Sequence, residues 1–171
     1  MSFVQNFSIT QSTDVTSFTI TDTSTGSDSN ITNRQIFLQK SDGTYLVPTG
    51  TSTNYIPFPL TSSYILLSKI LNVDYCLNIT VNWLDINGNV LYTKNGLYLF
   101  TGNSELFYYT LTTQQAANPN KVDDVDWYSN KLQLRTEIDS ANSAVNYSDQ
   151  ANAQAALNRA YYMISNQNIF F

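Results

Sequence analysis

Along residues 75–84, Tyr-Cys-Leu-Asn-Ile-Thr-Val-Asn-Trp-Leu, a large apolar side chain recurs at every second position. Tyr75, Leu77, Ile79, Val81 and Trp83 therefore share one face of a predicted strand, and Cys76, Asn78, Thr80 and Asn82 share the other. Burying the apolar set is worth roughly 10 kcal/mol gross, at about 1.5–3 kcal/mol per side chain. Asp85-Ile86-Asn87-Gly88-Asn89 follows and leads into Val90-Leu91-Tyr92. Asn-Gly between two such runs predicts a β-hairpin.

Shorter runs flank this centre. Residues 3–9, 15–20, 36–38, 45–47 and 64–71 read as strands, with small polar loops at 21–30 and 48–54. Pro57 and Pro59 cannot donate to a ladder, so 55–60 is predicted as an edge or extended segment. Lys94-Asn95-Gly96 predicts one more turn, into a last strand at 97–100. Seven or eight short strands joined by tight turns imply an antiparallel sandwich of jelly-roll type.

Beyond residue 102 the period changes from two to that of a helix, and no glycine follows. Ser104 can cap a helix with Glu105 in its first turn, running to Ala117 before Asn118-Pro119. Acidic Asp123, Asp124 and Asp126 suit the start of the next helix. Trp127, Leu134, Ile138, Ala141 and Val145 are spaced by 7, 4, 3 and 4 and form one helical stripe. Ser148-Asp149 breaks and recaps the chain. Ala153, Ala156, Leu157, Ala160 and Ile164 form a matching stripe, so 123–166 reads as an antiparallel αα-hairpin. The expected class is α+β: an antiparallel β-sandwich over 1–102, then a helical region over 103–171 ending in an apolar tail.

Composition changes the picture in one respect. Charged residues make up only 12% of the 171, with 18 Ser, 20 Thr and 20 Asn in their place and 12 Tyr among the aromatics. Such a surface has little like-charge repulsion to separate copies, and Tyr is enriched where proteins meet. The net charge is −5 and no Lys/Arg cluster exists, so a surface that tracks phosphates is not expected. A weakly negative wall past which DNA slides, without sequence-specific contact, remains compatible. Residues 1–10 lack the basic and apolar regions of a signal peptide, and no apolar run is long enough to span a membrane. A soluble chain made in a reducing cytoplasm, with no membrane partner, is the expectation.

The chemistry-bearing residues are few. No histidine is present, which removes the commonest general base and metal ligand. Cys76 is the only cysteine, so neither an intrachain disulfide nor a cysteine-based zinc site can form, and a buried small hydrophobe is its expected role. The acids at 123, 124 and 126 could hold a hard cation, but an acidic first turn is the commoner use. Asp85-Ile-Asn87-Gly88-Asn89 has a trace of a calcium loop and lacks its later bidentate glutamate. Glu105 and Glu137 are the only glutamates, and a glycosidase would need two carboxylates facing one cleft. No nucleophile elbow or phosphate-binding glycine loop occurs. The expectation is therefore no catalytic residue, no cofactor and no metal. Tyr161, Tyr162, Ile169, Phe170 and Phe171 are the candidate assembly contacts. The tail of 169–171 either folds back onto its own β core or inserts into a neighbouring copy.

Read together, residues 97–166 carry a resemblance. Gly102-Asn-Ser-Glu-Leu-Phe-Tyr-Tyr-Thr-Leu111, Ala117-Asn118-Pro119, Asp126-Trp127-Tyr128-Ser-Asn-Lys131-Leu132 and the Ala/Tyr-rich 151–162 follow a Ser/Thr/Asn-rich β domain. This resembles the ring (connector) proteins in the tails of short-tailed, crAss-like bacteriophages. The resemblance implies a non-enzymatic virion structural protein, present as a multi-copy ring at the head–tail junction or tail, around the DNA exit path. Its partners would be further copies of itself and the portal or other tail proteins. A capsid decoration or fibre-type module that grips carbohydrate on a host surface is the alternative.

Overall fold

The computed structural model describes residues 2–13, 17–68, 74–117, 125–166 and 170. Among these, seven strands precede three helices: β1 Phe7–Gln11, β2 Ser17–Asp22, β3 Asn33–Gln39, β4 Ile56–Pro57, β5 Tyr64–Ser68, β6 Tyr75–Leu84, β7 Val90–Phe100, α1 Gly102–Ala117, α2 Val125–Asn146 and α3 Gln150–Ser165. The class is α+β, as the change of period at residue 102 implies. Two compact units result. One comprises Met1–Leu71 and Leu77–Tyr98, the other Asn72–Cys76 and Leu99–Phe171. The division is thus not a single cut at 102, because Asp74 and the first two residues of β6, Tyr75 and Cys76, belong with the helices.

In the first unit, two antiparallel sheets run in the orders β1-β2-β5 and β4-β3-β6-β7. The alternation read in β6 is realised from residue 77 on: Leu77, Ile79, Val81 and Trp83 are buried and Asn78, Thr80 and Asn82 half-exposed, whereas Tyr75 is half-buried and Cys76, on the other face, is buried. Ile36 and Leu38 of β3 and Phe18 and Ile20 of β2 are buried with them. The hairpin forms where Asn-Gly predicts it. Asp85 N–H donates to the Asn89 carbonyl at 2.9 Å and Gly88 sits at φ 81°, which an L side chain rarely adopts.

Of three readings in this unit, the first and the last need correction and the second holds. Residues 45–47 make only a bridge, Gln39 to Tyr45, and no strand. Residues 55–60 contribute a two-residue edge strand, β4, as the prolines dictate. Lys94-Asn95-Gly96 does not turn, and β7 passes straight through it. Asn95 is held to β6 by its side chain, Nδ2 donating to Asn78 Oδ1 at 2.6 Å and Thr80 Oγ1 at 2.7 Å. The Tyr98 ring lies over Gly96, where an added Cβ would meet it at 2.8 Å. That ring supplies the cover a glycine lacks in a strand.

A buried ion pair joins the two sheets. Arg34 on β3 is 4% exposed. Its Nη1 donates to Asp22 Oδ2 at 2.6 Å, Nε to the Phe58 carbonyl at 3.1 Å and Nη2 to the Pro59 carbonyl at 2.7 Å. The guanidinium also stacks 3.7 Å from the centre of the Phe58 ring. Trp83 Nε1 donates to the same Asp22 oxygen at 3.0 Å. Every face of the buried charge has a partner, which is what allows it to be there.

Candidate functional site

The tyrosines and the tail singled out by sequence belong to the helical unit, and helix ends set their positions. α1 begins at Gly102, two residues before Ser104, and Ser104 is inside the helix rather than its cap. The cap is Asp74, whose carboxylate accepts from the backbone N–H groups of Asn103 at 3.0 Å and Ser104 at 3.1 Å. A carboxylate at a helix N-terminus meets both orphan donors and the positive end of the dipole. Burial nevertheless dominates its titration, pushing the Asp74 carboxyl above the usual range against the hydrogen bonds from Ser104 and Asn103. The Asn103 amide nitrogen is near enough to favour the charged form, yet its geometry completes no hydrogen bond.

α2 and α3 form the expected hairpin. Ser148 turns the chain at φ 56°, and Asp149 caps α3 by accepting from Asn152 N–H at 3.1 Å. Trp127, Leu134, Ile138 and Ala141 are buried, as are Ala153, Ala156, Leu157 and Ala160, while Val145 and Ile164 are half-buried at the ends of their stripes. Two glutamines of α3 grip the backbone at the start of β6: Gln154 Oε1 accepts from Cys76 N–H and Gln150 Nε2 donates to the Cys76 carbonyl, both at 2.9 Å. Cys76 is fully buried, as expected. Burial, with a smaller contribution from the Asp149 charge, pushes its thiol up to about 11.

Tyr161 and Tyr162 point to different sides of α3, as a 100° step requires. Tyr161 is at the mouth of a cavity of about 310 Å³ with Leu106, Phe107, Ile164 and Asp74. Tyr162, 72% exposed, borders a groove of about 400 Å³ with Glu137, Arg159, Gln133 and Met163. Phe170 is 1% exposed and packs edge-on against Phe107, with ring centres 5.3 Å apart, in a cluster with Leu111, Trp127, Leu134 and Ile138. It therefore folds back onto the helices of its own unit, not onto the β core, and is unavailable as a surface contact. Ile169 and Phe171 lie outside the described residues.

Two arginines of this unit, Arg135 and Arg159, pair with carboxylates. Glu105 accepts both Nη groups of Arg135, at 2.9 and 3.0 Å, and Arg135 also meets Asp139. Glu105 hydrogen bonding raises the Arg135 pKa further above its ordinary value. Glu137, the other glutamate, is buried and accepts from Arg159 Nε at 2.6 Å and Gln133 Nε2 at 2.8 Å. Each glutamate is thus held by its own arginine, and Glu137 lines a groove with Arg159, Tyr162 and Met163. In the first unit, Asp85 spends its carboxylate on the N–H groups of Asn87 and Asn89, so the loop is a turn rather than a cation cradle. Asp123 and Asp124, and the side chain of Asp126, lie outside the described residues. Among those described, no group of three or more His, Cys, Asp or Glu is placed to hold a metal ion, and no helix is long and apolar enough to cross a membrane.

The helical unit also exposes aromatic side chains. Tyr147 at the α2–α3 turn is 85% exposed, and Tyr109 on α1 and Tyr128 on α2 are exposed as well. No protein-family model matches the chain, and neither a curated protein nor a solved structure is found similar to it.

Proposed function

We propose that this chain is a non-enzymatic structural subunit that assembles in many copies, as a ring at the head–tail connector or tail of a bacteriophage particle. One observation carries the reading. The helices leave Tyr109, Tyr128, Tyr147, Tyr161 and Tyr162 exposed, while Glu105, Arg135, Asp139, Glu137 and Arg159 pair with one another within the unit. Tyrosine offers large contact area at low entropic cost, and a neutral rim removes the repulsion that keeps copies apart. The resemblance over 97–166 supplies the particle and the ring. DNA, on this reading, passes near a weakly acidic wall without being gripped.

Sedimentation velocity of the purified chain tests the reading. A single high-order species that Tyr161→Ala or Tyr162→Ala shifts towards smaller ones supports it. A monomer at all concentrations, with unchanged behaviour in both variants, contradicts it. A monomer that binds neutral glycans on an array, and loses that binding on the same substitutions, would establish the carbohydrate-binding module instead.

A further inference from the structure

The sheet β1-β2-β5 has two edges, and neither carries the devices that usually keep a strand edge from pairing. β1 is Phe-Ser-Ile-Thr-Gln and β5 is Tyr-Ile-Leu-Leu-Ser, five residues each, with no charge and no proline. The other sheet differs: one of its edges is the two-residue β4 ending at Pro57, and the other, β7, has Lys94 at its middle. Short edges, prolines and lysines are the common protections against edge pairing.

The hydrogen-bond alternation shows which groups these edges present. Asp22 N–H donates to the Ser63 carbonyl, so in the β2–β5 pair residues 63, 65 and 67 turn their backbone groups towards β2. The N–H and C=O of Tyr64 and Leu66 therefore point away from the sheet. Ser12 N–H to the Ser17 carbonyl and Thr23 N–H to the Asn6 carbonyl fix β1 in the same way, leaving the groups of Ile9 and Gln11 outward. Among the described residues, neither edge pairs with a further strand. Tyr64 and Leu66 are also 56% and 55% exposed, so β5 offers apolar side chains beside its outward-facing backbone groups.

We infer that neighbouring copies of this chain join by strand addition at this sheet, β5 of one copy against β1 of the next. Only a head-to-tail contact covers both bare edges with one kind of interface, and such a contact closes into a ring when its rotation permits. Self-pairing of β5 would cover one edge and leave β1 open. Both strands run antiparallel to β2 and so share a direction. A ring that keeps strand direction thus makes the new pair parallel, with main-chain bonds giving the affinity. The inference rests on the ring reading and adds, to the helical tyrosines, a second contact between its subunits.

The test mixes two single variants, Leu66→Cys with either Ser8→Cys or Thr10→Cys, whose side chains share the outer face, under mild oxidation. Cys76 is buried and does not compete. The expected product is a disulfide-linked heterodimer joining residue 66 of one copy to residue 8 or 10 of another. Leu66→Cys alone linking to itself as readily would overturn the inference in favour of a twofold β5 contact. A wild-type oligomer with no such cross-link overturns the edge contact but leaves the ring, whereas a wild-type monomer overturns both. Leu66→Pro and Leu66→Lys add a second readout. The Leu66 N–H faces away from β2, so both variants should fold and melt within a few degrees of wild type while the oligomer falls at least tenfold in population. An undiminished oligomer in both contradicts the inference.

Discussion

Asp22 and Asp74 are both aspartates at the ends of backbone segments, yet their surroundings push them in opposite directions. Burial raises the Asp22 carboxyl, but hydrogen bonds from Ser24, Trp83 and Arg34 outweigh it and the net shift is downward. Its contribution to stability is present above the ordinary aspartate value and is lost as pH falls through its lowered one. Asp74 is shifted upward by burial. Folding therefore favours its protonated form, and its titration adds stability as pH falls from its raised value towards 3.8. Carbon-detected NMR titration should show the Asp74 carboxyl carbon with its midpoint above 3.8 and that of Asp22 below it. Coincident midpoints would contradict both assignments. Removing the Asp22 carboxylate strands the buried Arg34 charge, so Asp22→Ala should cost about 3–5 kcal/mol in urea unfolding. A loss under 1 kcal/mol would show that the pair is not buried as described.

At the scale of elements, legibility depended on whether the determining contact was local. The β6 stripe, the Asn-Gly hairpin and the seams of α2 and α3 follow from spacing alone, because each periodicity reports one buried face. Asp74 capping α1 could not be read, since the cap is 29 residues upstream of Asn103 and only the folded chain brings them together. The same holds for Asn95, whose bonds to Asn78 and Thr80 keep β7 straight where Asn-Gly locally favours a turn. Phe170 was visible as an apolar tail, but its seat against Phe107 was not. Of the candidate contact residues, exposure of the adjacent Tyr161 and Tyr162 follows from the Ala153–Ala160 seam, which fixes the buried side of α3. The local caps give sharp expectations. Asp149→Ala should destabilise the helical unit by about 1 kcal/mol. Ala160→Leu, overfilling the α2–α3 seam, should cost about 1–3 kcal/mol. Thermal unfolding of both variants measures this, and a neutral Ala160→Leu would mean that the seam is loose.

For the molecule as a whole, the same sparse use of charge accounts for several observations at once. Arg34, Arg135 and Arg159 each have a carboxylate partner in their own unit. On the outer face of β6 and β7, amides and hydroxyls bond to each other, Thr93 Oγ1 to Asn82 Oδ1 at 2.9 Å and Asn95 Nδ2 to Asn78 Oδ1 at 2.6 Å. The exposed groups include five tyrosines of the helical unit and, among the described residues, two strand edges without a neighbouring strand, both suited to contact with other protein surfaces. The measurement that bears most directly on this is electron microscopy of the purified chain, with class averages computed without imposed symmetry. Annular particles with one rotational symmetry and a central opening are expected. Isolated monomer-sized particles at micromolar concentration, with no rings, would contradict it.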